Sequence, residues 1–301
     1  LIIFYKKSKK YKLEKIKFNS KLTDFDVFLF LKKDWIESIE GTTLVSNLTH
    51  LNLYENILKK LNKQKIGIYL QENQSWEFSL INSWKLFNHN KLIGYQQSTV
   101  RYWDLRNFYS VSAYKKKGIQ DFPRPHKVAL NNNLAIKNYK EQGYPDNELY
   151  KVEALQYQKI KNKQIKKNFT NKYELNILIV LEGLKKYDNL FINIIQETEN
   201  YLKNKCKFII KSHPQNIINR NYNSNFLEVS DNNLYSLFEC CDIFFIANSS
   251  SASAEALYFN KKILILRDKY RLNLNPLRGY KNITNIYNAN DIIYEIQNYI
   301  I

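Results

Sequence analysis

The chain holds 301 residues, room for one large domain or two ordinary ones, and its 44% hydrophobic and 25% charged residues suit a globular protein with a core. Its formal charge of +18 suggests polyanions, yet the lysines are scattered, sit among the Asn, Ile and Tyr of A/T-rich coding, and carry no nucleic-acid signature, so nucleic acid is not the expected partner. Three cysteines, two of them adjacent (Cys240 and Cys241), exclude a disulfide framework and a CxxC metal site, and no apolar run is long enough to span a bilayer.

A reducing, cytoplasmic setting follows. Part of the charge reads as attraction to an anionic substrate or to anionic lipid, that is, peripheral contact at the inner face of the plasma membrane. The opening LIIFYKKSKK runs in the reverse order of a secretory signal, and the chain contains no Met, which reads as a fragment or processed product.

In chain order, the first half offers strands at FDVFLFL, KIGIYLQ, KLIGYQQ, HKVALNN and YKVEALQ, with helices over Leu51–Leu61, Gln74–Asn88 and Asn133–Gln142. Residues 157–174 are polar, lysine-laden and without period, and read as a linker between domains at 1–156 and 175–301. The second half alternates cleanly. LNILIVLEG, KFIIKSHP, NFLEVS, IFFIAN and KKILILRD read as strands, and YDNLFINIIQETENYLKN, NNLYSLFECCD, SASAEALYF and ANDIIYEIQNYI as the helices between or after them. Strands that are apolar throughout and separated by amphipathic helices predict a parallel sheet covered on both faces. The expected fold class is α/β, with two Rossmann-like domains facing across a cleft, ligands lying at the strand C-termini.

Three strand ends of the second half carry chemistry. Glu182 and Gly183 end the first strand: the carboxylate offers a base or a hydroxyl-binding group, and Gly lets backbone approach a ligand. Pro214 holds His213 in extended backbone just past Lys211, where an imidazole can meet a phosphate or protonate a leaving group. Asn248, Ser249, Ser250 and Ser251 close a buried strand and open a helix of small residues, an anion-binding arrangement of hydroxyls and amides. Each alone also fits an ordinary turn, a turn histidine or a well-capped helix. Their order at the ends of three strands of one parallel sheet is the informative feature.

In that order the chain resembles GT-B-fold glycosyltransferases that use CMP-activated acidic sugars, the bacterial sialyltransferase and Kdo-transferase type. The resemblance implies that His213, Ser249 and Ser250 hold the phosphate and ribose of CMP, and that Glu182 matches the second position of an acidic-acidic-Gly motif. Leu181 stands at the first position, a departure from the pattern. In the first half, YLQENQSWEF and GYQQSTV resemble the E-x-Q-x-W-E and G-Y-Q-H-S patterns of surface carbohydrate biosynthesis proteins of the same kind, with Gln97 where the family has His. Glu72, at a strand end, is the leading acceptor-side acid. Gln74, Glu77, Gln96 and Gln97 complete the acceptor side, Glu77 also being placed to complement a helix dipole.

The resemblance implies a metal-independent transferase that moves an acidic sugar (sialic acid, Kdo or a related ulosonic acid) from CMP to a bacterial surface glycan, free or lipid-linked, with no cofactor beyond the donor. His213, Ser249–Ser251 and Lys211 would stabilise the departing CMP. His50, His89 and His126 have no partners at ligand spacing, so no metal site is expected. Three alternatives stand beside it: a metal-dependent GT-A enzyme using Asp24 and Asp26, a CDP-glycerol-type glycerophosphotransferase of the same fold, and a non-catalytic nucleotide or polyanion binder.

Overall fold

The computed structural model describes residues 28–101, 104–107, 109, 113–114, 122–155, 175–222, 224–281 and 283–300. The predicted linker at 157–174, and Asp24 and Asp26, lie outside them. The chain divides into two compact units. The first takes the described residues up to Gln97 together with Ser110–Leu130 and Lys140–Lys151; the second takes Ser98–Tyr109, Asn131–Tyr139 and Val152 onward.

The first unit begins with α1 (Phe28–Ile39) and α2 (Thr42–Lys60). The strand expected at FDVFLFL is corrected here, because its described part is the start of α1. Half-buried Phe28, Trp35 and Ile39 recur at seven and four residues, a helical repeat that the short apolar run hides. A parallel sheet follows in the order β1 (Ile66–Leu70), β2 (Lys91–Gln96), β3 (Lys127–Leu130), β4 (Leu149–Lys151). Helix α3 (Ser75–Leu86) crosses from β1 to β2, and α4 (Asn133–Glu141) follows β3 in sequence, its residues up to Tyr139 belonging to the second unit. Trp84, Ile81, Leu58, Tyr69 and Leu92 form the core between α2, α3 and the sheet, so Trp84 is a packing residue. The Trp84 indole N–H donates to Asn90 O at 2.8 Å, which satisfies its polar edge.

The second unit contains β5 (Leu175–Val180), α5 (Lys185–Glu197), α6 (Glu199–Leu202), β6 (Cys206–Lys211), β7 (Leu227–Val229) and α7 (Leu234–Cys240). It continues with β8 (Ile243–Ile246), α8 (Ala252–Ala256), β9 (Lys262–Leu266), β10 (Ile283–Ile286) and α9 (Ala289–Ile300). The single helix expected over 187–204 breaks at buried Thr198, whose hydroxyl bonds back to Ile195 O. Strand β10 was not anticipated: the polar Thr284 and Asn285 interrupt its apolar run at the sheet edge.

All six strands are parallel, in the order β7-β6-β5-β8-β9-β10. Alternation along each strand sends side chains to two cores. Ile177, Ile179, Phe208 and Phe245 meet α5 and α9 on one face. Leu178, Val180, Phe244 and Ile263 meet α7 and α8 on the other. Phe191 packs edge-on against Phe245 with centroids 4.4 Å apart. Each fully buried side chain of this kind contributes about 1.5–3 kcal/mol. Strand order reverses between β5 and β8, the place in a doubly wound sheet where loops diverge and leave a crevice.

Candidate functional site

Val180 pairs with Ile246, so β5 and β8 end side by side at that reversal and deliver Glu182 and Ser249 as neighbours. Glu182 Oε2 accepts the amide of Ser249 at 3.0 Å and its hydroxyl at 2.6 Å. Its Oε1 accepts from Arg271 NH1 at 2.6 Å. The Arg271 guanidinium lies 3.5 Å from the Tyr187 ring centroid, and this stacking fixes its plane. Glu182 is therefore a buried, paired carboxylate with both oxygens engaged, the arrangement that makes burial of a charge tolerable.

Asp188, fully buried in the first turn of α5, joins two of the three predicted turns. Its Oδ1 accepts the amide of Glu182 at 3.0 Å and its Oδ2 accepts Asn216 Nδ2 at 2.7 Å. Asn216 in turn donates its amide to His213 O at 2.9 Å. His213 Nδ1 accepts the amide of Gln215 at 3.2 Å, which puts the proton of a neutral ring on Nε2. Gly183 sits at φ +87°, and a Cβ built on it would stand 2.4 Å from His213 Nδ1. Gly is required at this position twice, by backbone conformation and by the imidazole above it.

Glu182, Lys211, His213, Pro214 and Ser249–Ser251 line one cavity of about 830 Å³, with Arg101, Asp104, Arg106, Asn233 and Glu255. Arg101 NH2 donates to Ser249 O at 2.9 Å. Its Nε is buried and has no hydrogen-bond partner among the described residues. Burial lowers its pKa, reinforced by Arg106 and opposed by Asp104 and Glu182. Burial also pushes Asp104 upward, but hydrogen bonds at 2.9 and 2.7 Å from Arg106, together with the charges of Arg106 and Arg101, prevail and hold it below the usual carboxylate range. Glu255 is raised by burial, against a hydrogen bond from Tyr235.

The serines divide their work. Ser249 is committed to Glu182, and the Ser250 amide donates to Ala247 O at 3.2 Å. Asn248 faces a second, smaller cavity of about 350 Å³ on the α5 side of Glu182, lined also by Tyr187, Arg267, Tyr270, Arg271 and Tyr287. There the Asn248 amide is held between Arg267 and Leu272 O.

The remaining predicted residues belong to the turn after β1 and the exit of β2, in the first unit. Glu77 is buried, and its carboxylate accepts the amides of Glu72, Asn73 and Gln74 at 2.9, 3.0 and 3.0 Å. It builds the turn, with Asn73 at φ 58°. Burial raises the pKa of Glu77 and these three hydrogen bonds oppose the rise. Glu72 and Gln97 are exposed, and Gln96 is buried at the end of β2. Gln71, which sequence reasoning passed over, is buried and donates through Nε2 to Asn73 Oδ1 at 3.3 Å.

Arg101, Arg106, Asp188, Glu255 and Arg271 also escaped sequence reasoning. Arg101 and Arg271 lie in stretches without period, where nothing marks one arginine over another. Asp188 had a legible signal, an acid in the first turn of a helix after a Gly turn, but its two partners are decided by the sheet. Among the described residues, no three His, Cys, Asp or Glu side chains are grouped to hold a metal ion, and no helix is long and apolar enough to cross a membrane.

No protein-family profile matches the chain, and no curated protein is significantly similar to it by sequence. Solved structures are similar in fold. The Staphylococcus aureus MnaA–UDP co-structure superposes with TM-score 0.50 at 11% identity, over 84% of this chain and 69% of that one. Acinetobacter baumannii MurG gives 0.50 at 9%, over 85% and 70%. UDP-N-acetylglucosamine 2-epimerase from Rickettsia bellii gives 0.50 at 12%, over 86% and 71%. The fold is thus α/β of the GT-B type, with two units built on parallel sheets.

Proposed function

We propose that the chain is a glycosyltransferase whose second unit binds a nucleotide-activated sugar in the 830 Å³ cavity. The observation that carries this reading is the convergence of Arg101, Lys211 and His213 on one cavity, with Arg101 fixed through NH2 to Ser249 O. Cationic and hydrogen-bond-donating side chains gathered in one cleft suit an anionic group such as a phosphate. Lys211 and His213 line the same cavity and add positive charge and a second donor, where charge builds on a departing nucleotide.

The donor we propose is a CMP-linked acidic sugar, passed to a surface glycan. The Glu182-Gly183, His213-Pro214 and Ser249–Ser251 turns that motivate it converge on one crevice, as that motif order requires. Glu182 then serves as an anchor for Ser249 and Arg271, since both its oxygens are engaged, and Glu72 is left as the acceptor-side base. A UDP-sugar donor is the second reading, favoured by the UDP held by MnaA on the same fold. Glycerol phosphate transfer from CDP-glycerol is the third.

A thermal-shift panel of CMP, CDP, UMP, UDP and GDP separates these readings. CMP is expected to stabilise the wild-type protein and to lose its effect in Arg101→Ala and His213→Ala. A UDP shift larger than the CMP shift moves the assignment to the second reading. No response to any nucleotide sinks the proposal.

A further inference from the structure

The first unit carries a basic rim at the end of its sheet opposite the β1–α3 turn. Segments leading into β1, β2 and β3 meet there around a hollow of about 580 Å³ lined by Lys63, Lys65, Lys85, Asn88, Asn90 and His126, among others. The platform is rigidly built. His89, buried, accepts the amide of Gln64 on Nδ1 at 3.0 Å and bonds through Nε2 to Leu58 O at 3.0 Å. Asn90 donates its amide to Gln64 O at 2.9 Å and Lys91 to Lys65 O at 3.2 Å. Lys63 Nζ reaches Phe87 O across the rim.

Lysine dominates the charge around this hollow, and the acids ahead of β4 at the same end of the sheet, Asp146 and Glu148, are paired with Lys140 and Arg124 at 2.9 Å each. Lys59 and Lys60 end α2, Lys85 falls in the last turn of α3, and Lys91 opens β2. Between Asn56 and Gln71, and again between Phe78 and Val100, the sequence contains neither Asp nor Glu. Aliphatic side chains stand exposed among these lysines: Leu61 at 48%, Ile66 at 60% and Leu86 at 56%. With the lysines they give this rim a mixed basic and apolar surface.

We propose that this rim is a docking surface for an anionic phospholipid bilayer. Lysine is a mobile point charge suited to the diffuse negative potential of headgroups, whereas discrete phosphate recognition favours the planar fork of Arg. Leu61, Ile66 and Leu86 supply the shallow apolar insertion that a headgroup region accepts, and their aliphatic character does not suit base stacking on nucleic acid. The surface lies wholly within the first unit, and the inference does not depend on the donor assigned above.

Sedimentation of the full chain with phosphatidylcholine vesicles, with and without phosphatidylglycerol, tests this. Binding is expected only when phosphatidylglycerol is present, and is expected to fall with added salt. Lys63→Glu/Lys65→Glu/Lys85→Glu should weaken binding by roughly 100-fold or more, given the per-lysine contribution at an anionic surface. Leu61→Ser/Leu86→Ser should weaken it about 10-fold without changing charge. The control Lys185→Glu/Lys203→Glu/Lys205→Glu alters three exposed lysines of the second unit and should bind as wild type. Thermal unfolding and nucleotide shifts of each variant establish that it is folded. Equal loss in the control triple, equal binding to neutral vesicles, or duplex DNA displacing the vesicles would each overturn the proposal.

Discussion

Glu182 and Ser249 are 67 residues apart in sequence, yet one carboxylate oxygen of Glu182 accepts both the amide and the hydroxyl of Ser249. This contact locks the exits of two adjacent strands together, and Arg271 on the other oxygen locks a third loop to them. Glu182→Gln keeps the shape but turns an amide N–H₂ toward Arg271. A loss of about 2 kcal/mol in urea unfolding is expected, in the range for hydrogen bonds to a charged group, with a weakened nucleotide shift. Unchanged stability with abolished turnover would instead make Glu182 the catalytic base.

Gly183→Ala places a methyl group at φ +87°, against the His213 ring. The strained backbone alone costs about 1–3 kcal/mol. Because the ring must also move, the nucleotide-induced thermal shift should shrink more than the fall in stability accounts for. A folded variant with undiminished nucleotide binding would detach His213 from the donor site.

Asp188→Ala leaves the Glu182 amide and Asn216 Nδ2 without their acceptor inside the protein. Such orphaned groups cost about 1–3 kcal/mol each. Denaturant unfolding should show a destabilisation of that order, and Asp188→Asn, which restores one acceptor, a smaller one.

Arg101→Lys retains charge but loses the fork that reaches Ser249 O and the cavity together. Nucleotide affinity, measured by calorimetry, should fall at least about 10-fold, equivalent to ~1.4 kcal/mol, while the unfolding midpoint changes little.

His126 gives a pH-dependent prediction. Burial lowers its pKa, the charges of Lys85 and Lys91 lower it further, and Glu148 opposes. Its Nδ1 accepts the amide of Leu92 at 3.1 Å, which a protonated ring cannot do. A depressed folded-state value means that its stabilising contribution is complete above the unfolded value of about 6.5 and is lost as pH falls through the folded value. NMR titration should place the His126 midpoint below 6.5, and His126→Phe should flatten that part of the stability profile.

Much of the second unit was legible because its strands are apolar on both faces and its helices on one, patterns that follow from burial alone. The three turns carrying Glu182, His213 and Ser249 were legible for the same reason: they end those strands. The first unit was harder to read. The run at Phe28–Leu31 fits a strand as well as a helix, and only the half-buried spacing through Ile39 separates them. Local pattern therefore determined which residues stand at strand ends, since periodicity and Pro or Gly signals act within a few residues. Tertiary structure alone decided what they touch: that β8 lies beside β5, that Asp188 bridges the Glu182 and His213 turns, and that Arg101 and Arg271 reach Ser249 and Glu182 from segments without period. Those pairings depend on strand order, and strand order is set by packing over the whole sheet.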